Sequence, residues 1–584
     1  MQPVATTGSG ATLSVTAGDI TGNVSAVNNG YGVLTLAGGS GATANTQVVS
    51  GTVGAPGASL NTVNAGADGM TSNFSNTAAV YATTLNVTGT GTVNLSGGLI
   101  GNASFTNGVA NENGTLNVAA GKSITGAVGT SLSGTGILNL QGGTQNVSGN
   151  ITGLNTVNAN TASATTTFGG NVGATTVNLS GTGGAATVAG TVTATTVNVG
   201  AGTATFNGAV TATTLNLTTG TVNLNQGMTG NLDYDAAGTV NVETGMGIVG
   251  AVTNSSTTTQ GALNFAGNGF VTQGIGSSTN RLATLTAGAG SGGTATTTWL
   301  NSAANAASNN TGMSYVDVLT YTGNGTVVLN GKNSGDALGG LSGSVDFAEG
   351  TGTLRVGDGV NLTTGNGSAA GTQFLNANTA TLTFDGSSTV TGVLGGGTTG
   401  RSTFQTINAG ANSSTVNFLG DVHVASTTFN VTGTGTVNFS GDLYGPLEFD
   451  ADGLVTFANG KGVKNIASTT GTGTVKNTTG AVAGTLNYLG NTTLANDLGE
   501  NLGTKYLKNV LFHSDTTVAA VSQTIDKNIY ADSTTIGNIT TSTTANVTGN
   551  VFLGNNLTLV NGNGTANVTL NTAGTVNTAP SGDR

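Results

Sequence analysis

Cysteine is absent from this 584-residue chain, which removes disulfides and thiolate metal sites from consideration. Proline occurs 4 times, and the 100 glycines follow no three-residue period, so a collagen triple helix is excluded. Charged residues make up only 6% of the chain, which excludes the highly charged class of disordered sequences. Lys and Arg number 12 against 23 Asp and Glu, a net charge of −11 with no basic run. Phosphate neutralisation needs clustered cations, so nucleic acid is not an expected partner. No apolar run reaches the roughly 18 residues of a membrane-spanning helix. The opening Met1-Gln-Pro-Val4 has neither the basic nor the apolar region of a signal peptide, and is expected to begin a mature or excised segment.

What remains is Gly, Thr, Val, Asn and Ala. Thr and Val suit strands because β-branched side chains fit a pleated surface. Gly and Asn suit corners because they tolerate positive φ. These residues spell a recurring phrase, A-T-T-Φ-N-Φ, at Ala174–Leu179, Ala194–Val199 and Ala212–Leu217. Copies recur at Ala82–Val87 and, as S-T-T-F-N-V, at Ser426–Val431. Self-similarity at a period of about 20 residues marks a solenoid, in which each unit packs on its neighbours.

Apolar residues alternate with Thr or Asn, and Gly bounds each run, so every repeat holds two or three short strands with one buried face. The expected fold is all-β: a right-handed parallel β-helix with coils of about 18–21 residues, its hand taken from fold analogy. Val177, Val197 and Leu215 should stack as one inward ladder, and Leu179, Val199 and Leu217 as another. Asn178, Asn198 and Asn216 should form an outward amide column. About 25 such coils would make a rod on the order of 120 Å long at the strand spacing. Residues 1–584 read as one continuous solenoid domain, interrupted near 291–316 and 491–535. The first interruption carries the only Trp and reads as a projecting loop; the second concentrates charge and bulk as an irregular coil. Trp299, Tyr315 and Tyr321 are the candidate surface-contact residues, because aromatic side chains are the usual anchors of interfaces.

The stretch Thr322-Gly-Asn-Gly-Thr-Val-Val-Leu-Asn-Gly-Lys-Asn-Ser-Gly335 resembles the G-x-G-T-Φ-x-Φ-x-G-x-N repeat of bacterial autotransporter passenger domains. It continues to Gly352-Thr-Leu354 but lacks the Tyr common after the Asn. The Thr/Asn/Gly texture, with its T-V-N-Φ phrases, is similar to rickettsial surface-cell-antigen passengers of the outer-membrane protein B type. The resemblance implies export by a C-terminal translocator β-barrel, expected outside this chain, and display at the bacterial outer-membrane surface. It implies attachment to a host or neighbouring cell, or to further copies, as an adhesin and virulence factor. The chain ends Pro580-Ser-Gly-Asp-Arg584, without the alternating strands of a barrel.

Catalytic constellations are sparse. Only His423 and His513 could act as imidazole bases, and no G-x-S-x-G elbow occurs. His423 alternates with Val422 and Val424 and reads as an outward strand residue. Asp233/Asp235 and Asp450/Asp452 are the nearest approach to the carboxylate pairs of β-helical polysaccharide lyases and hydrolases, and Asp450/Asp452 is also the best candidate for a weak calcium corner. Neither pair has a basic partner nearby in sequence, and both read as turns. Gly121-Lys122-Ser123 is too far from Gly114 for a phosphate loop. No catalytic residue, cofactor or metal is assigned, and the expected function is a non-enzymatic surface rod. A self-assembling surface-layer protein and a polysaccharide-cleaving enzyme are the alternatives.

Overall fold

The computed structural model describes residues 4–6, 10–38, 45–106, 113–291, 294–300, 314–329, 340–348, 352–363, 373–395, 403–465, 474–501, 505–513, 520–538, 542–547, 550–561, 568–572 and 576–578. Among the described residues its strands stack in parallel as a β-solenoid of about 20 turns, apart from one short antiparallel pair. The one helical element among the described residues is a 3₁₀ turn, Ala377–Thr379. The chain divides into two compact units, residues 1–269 and 270–584.

In the first unit the repeated phrase becomes a bent strand. Val172–Leu179 buries Val172, Ala174, Val177 and Leu179, while Thr175 and Thr176 both face outward. Two consecutive outward residues break the period of two, so the chain turns a corner between Ala174 and Val177 and presents an inward side chain on either side. The partner strand Val192–Val199 pairs from Val192 to Ala194 and from Thr196 to Val199, skipping Thr195 at the same corner. The short strands Ala185–Val188, Thr203–Phe206 and Thr221–Leu224 close the coil on a further face.

The inward ladders are those expected. Val177 pairs with Val197 and Val197 with Leu215; Leu179 pairs with Val199 and Val199 with Leu217. All six are essentially inaccessible to solvent, and each buried Val or Leu contributes roughly 1.5–3 kcal/mol. The Ala82–Val87 copy, however, stands at a different corner. Leu85 stacks through Ala103, Val128 and Ile151 onto Val172, whereas Val177 stacks back through Val157, Leu138 and Leu116 to Val93. One phrase thus serves two corners, because each demands only an apolar–polar–polar–apolar order.

Coil length is nearly constant where the phrase is most regular, from Leu154 to Ala174, Ala194 and Ala212. In the second unit it stretches: Leu285 pairs with Leu319, and Val455 with Leu486. The described ladders stay in register across these longer steps, so there are about 20 turns rather than the larger number expected from a uniform repeat. At one corner of the first unit that loses a residue, glycine is required. Gly230 alone faces Ala212-Thr213, at φ +119°, and a Cβ there would stand 1.6 Å from the Ala212 carbonyl oxygen.

The two expected interruptions are described only in part, and Gly290–Ser291 pairs antiparallel with Thr294–Ala295 at the start of the first. Thr297–Leu300, with Trp299, is a ladder strand paired to Thr326–Leu329, and Ser314–Tyr321 is a ladder strand as well. Residues 301–313 lie outside the described residues, as do 330–339, 514–519 and 579–584. Around 491–535, Leu507–His513 pairs with Ala483–Leu489 on one side and Ile529–Asn538 on the other. In the strand Leu507–His513, charge and bulk respect the alternation. Lys508 and Asn509 take the two outward corner places between buried Leu507 and Val510, and Phe512 points inward.

The second unit fills its interior with aromatic rungs. Phe418, Phe439, Phe457, Tyr488 and Phe512 succeed one another with ring centroids 5.2, 4.9, 5.6 and 5.5 Å apart and ring planes within 17° of parallel. The ladder fixes this stacking, since each ring sits at the same register position one coil on.

Phe457→Ala should lower stability by about 3–5 kcal/mol. Thr195→Ala, at an exposed corner, should change it by less than about 0.5 kcal/mol. Denaturant unfolding of the two variants checks the contrast.

Candidate functional site

The outward positions carry whatever the solenoid presents, and the ladder aligns them into columns. In the first unit one column is asparagine for eight consecutive rungs: Asn73, Asn94, Asn117, Asn139, Asn158, Asn178, Asn198 and Asn216. Each Nδ2 from Asn94 onward donates to the Oδ1 of the preceding rung, at 2.6–2.8 Å. The column ends where Asn216 meets Asp233, which has no amide to continue it. Corner residues cap in the same axial direction. Asn150 Oδ1 accepts the Asn171 N–H, and Asn171 Oδ1 accepts the Thr191 N–H, each at 2.9 Å.

In the second unit the equivalent chemistry becomes ionic. The outward column runs Asn408, Asn430, Glu448, Lys476. Asn430 Nδ2 still donates to Asn408 Oδ1 at 3.1 Å. Its own Oδ1 is buried without a donor, because an ionised Glu448 on the next rung has no proton to give. Burial, with Asp450 and Glu500 nearby, raises the Glu448 pKa above the usual carboxylate value, while Lys476 and Lys505 oppose the rise. Lys476 pairs in turn with Glu500 at 3.4 Å.

A further polar cluster gathers around Asp421, Asp442 and Lys461. The His423 ring stacks on Tyr444 with centroids 4.3 Å apart and planes 2° from parallel, and Tyr444 pairs in register with Lys464. The outward placement read for His423 therefore holds, with a stacking partner that lies one coil away. Asp442 accepts the Gly462 N–H at 3.0 Å and the Lys461 ammonium at 3.3 Å, while Asp421 accepts the Asp442 N–H at 2.8 Å. Hydrogen bonding to Asp442 raises the Lys461 pKa; burial, then Asp421 and Asp442, raise that of Tyr444. Sequence order hides this cluster, but its members recur one coil apart, as Asp421, Asp442 and Gly462 do.

Comparison of the chain with protein-family profiles, with curated proteins and with solved structures finds no match in any of the three.

Of the three candidate aromatics, Trp299 is 39% exposed on an outward column. Tyr315 is half-buried, with the Arg281 guanidinium 6.0 Å from its ring centre. Tyr321 must be removed from the surface set. It is fully buried, stacks on Phe347 at 4.5 Å and donates its hydroxyl to the Thr353 carbonyl at 3.0 Å. The strand period decides this, since Tyr321 shares the inward phase of Leu319.

The carboxylate pairs serve as axial links. Asp233 accepts from Thr253 and Asp235 from Ser255, at 2.6 and 2.8 Å. Asp450 accepts from Thr478, and Asp452 from the Gly484 N–H and the Lys508 ammonium. The basic partner missing nearby in sequence thus comes to Asp452 from 56 residues away. Lys122 donates to the Thr77 carbonyl at 3.2 Å. Among the described residues no three His, Asp or Glu side chains gather closely enough to hold a metal ion. No helix among them is long and apolar enough to cross a membrane.

Glu448 generates a pH prediction. A carboxyl whose folded pKa is raised binds its proton more tightly when folded. Its stabilisation is therefore complete below the ordinary carboxylate range and is lost as pH rises through the raised value. Glu448→Gln supplies Asn430 Oδ1 with a permanent donor. It should stabilise the chain near pH 7 by about 0.5–1.5 kcal/mol, and should flatten the loss of stability between acid and neutral pH seen in unfolding titrations.

Proposed function

We propose that this chain is a non-enzymatic, surface-displayed solenoid of the bacterial autotransporter-passenger type, which presents repeated outward columns for attachment to a cell surface. The single observation that carries the reading is the outward architecture: columns of Asn, Thr and ion pairs are held in fixed axial register and engaged with one another. Asp233, Asp235, Asp450 and Asp452, the residues a polysaccharide-cleaving enzyme would need free, are instead bound to neighbouring coils. A scaffold of this kind acts by presentation. Its axial hydrogen bonds keep distant rungs in line, so weak contacts on successive coils engage together.

Display at the outer-membrane surface, with a translocator barrel outside this chain, is part of the same proposal and rests on the G-x-G-T-Φ-x-Φ resemblance around Gly323. Beads coated with the purified chain should adhere to cultured host cells several-fold more than albumin-coated beads. Adhesion equal to the albumin control overturns the attachment reading. Ordered two-dimensional arrays of the purified protein in electron micrographs would replace it with a surface layer, and release of reducing sugar from bacterial or host polysaccharide would replace it with an enzyme.

A further inference from the structure

The asparagine column of the first unit does not lie on an open plane. Beside it runs a groove of about 420 Å³, lined by Asn178, Asn198 and Asn216, by Leu179 and Val199, and by the Gly181–Thr182 and Gly200–Ala201 turns. Its long direction follows the column, because the three amides occupy successive rungs about 4.8 Å apart. Each amide has two N–H groups and an oxygen with two lone pairs. The axial ladder uses one N–H and one lone pair per rung. One donor and one acceptor per rung therefore remain for a ligand, repeated at the strand spacing, with the small turn residues alongside as an apolar strip.

The charge of this unit narrows what could lie there. Residues 1–269 contain one cation, Lys122, already bonded to the Thr77 carbonyl, and six carboxylates: Asp19, Asp68, Glu112, Asp233, Asp235 and Glu243. An anionic polymer would find no counter-charge in the groove, whose one charged lining residue is Asp235. An extended peptide would seek a free strand edge. The strands beneath the groove run across it, with their backbone groups already paired to the coils on either side. A ligand of alternating hydroxyl donors and acceptors, without charge and extended with a repeat close to one rung, satisfies every condition.

We propose that this groove binds a neutral, extended polysaccharide lying along the solenoid axis, with about one sugar residue to each asparagine rung. Successive hydroxyls exchange hydrogen bonds with Asn178, Asn198 and Asn216, and the pyranose faces rest on the small turn residues Gly181–Thr182 and Gly200–Ala201. No aromatic ring lines the groove, so each rung binds weakly and affinity grows with chain length. This names a ligand class for the attachment function proposed above and rests on that reading for its biological setting, though not for its chemistry.

The test uses the purified full chain on a microarray carrying neutral β-linked glucans, mannans and galactans beside acidic uronans. Retention of a neutral glycan is expected, increasing with its length and unchanged by added salt. Ala201→Trp places a large side chain on the exposed rim without touching the ladder. It should weaken retention at least tenfold while circular dichroism and unfolding stay as in the parent. Asn198→Ala should weaken it as well. The proposal is overturned if no neutral glycan is retained, if only uronans bind and salt removes them, or if Ala201→Trp binds as the parent does. Self-association that Ala201→Trp abolishes, without glycan binding, would overturn it by assigning the groove to a second copy. The assay contains no cells, so glycan binding without bead adhesion removes only the attachment reading. Adhesion that persists without glycan binding removes only this one.

Discussion

The constraint on which the rest depends is the parallel pairing of successive coils within each unit, among the described residues. Once Val177 must lie beside Val197 and Val197 beside Leu215, each position of the coil is tied to one environment along the column. Inward places become ladders of Val, Leu and Phe. Outward places become columns whose members are near enough to bond, and that proximity makes a side-chain amide useful at each rung. An isolated outward Asn would bond water; in a column its neighbour holds the matching group at 2.6–2.8 Å. Regular chemistry outside is thus a consequence of regular pairing inside.

The two units meet this constraint with different chemistry. The first keeps charge out and repeats amides, so its columns are neutral and nearly uniform. The second substitutes ion pairs and interior aromatic rings, and leaves a polar atom unpaired at a join between the two chemistries. Asn430 Oδ1 is orphaned where an amide column meets Glu448. Axial capping by Asp and Asn continues through both: Asn171 caps the Thr191 N–H in one unit, and Asp421 caps that of Asp442 in the other. The functional readings follow from this contrast. A uniform neutral face suits a repeating uncharged polymer, while the ionic faces mostly satisfy themselves across coils.

Legibility in the sequence follows the same division. The strands, the inward ladders and the amide column could be read because alternation and a recurring phrase are local facts about the chain. The corner could not. Thr-Thr in the phrase reads as part of a strand, yet it marks the phase slip where the strand bends, and other polar pairs fill the place equally well, as Lys508-Asn509 do. The strand Leu507–His513, inside a stretch whose composition reads as irregular, therefore keeps the ladder register. The inward place of Tyr321 is hidden for a related reason: aromatic composition says nothing about its phase relative to Leu319.

The sequence by itself determined that this chain is a parallel solenoid of short strands with apolar ladders and an outward asparagine column. Side-chain period and repeat spacing are carried by neighbouring residues, and those alone set the pattern. Only the tertiary structure decided which residues meet across coils. The Ala82 and Ala174 copies stand at different corners, Lys508 reaches Asp452, and the groove forms beside Asn178, Asn198 and Asn216. Coil length varies, as between the short step from Leu215 to Leu232 and the long one from Leu285 to Leu319. Contacts one coil away therefore depend on how many residues each corner and loop absorbs. That number is fixed when the backbone pairs, and it is absent from any single repeat.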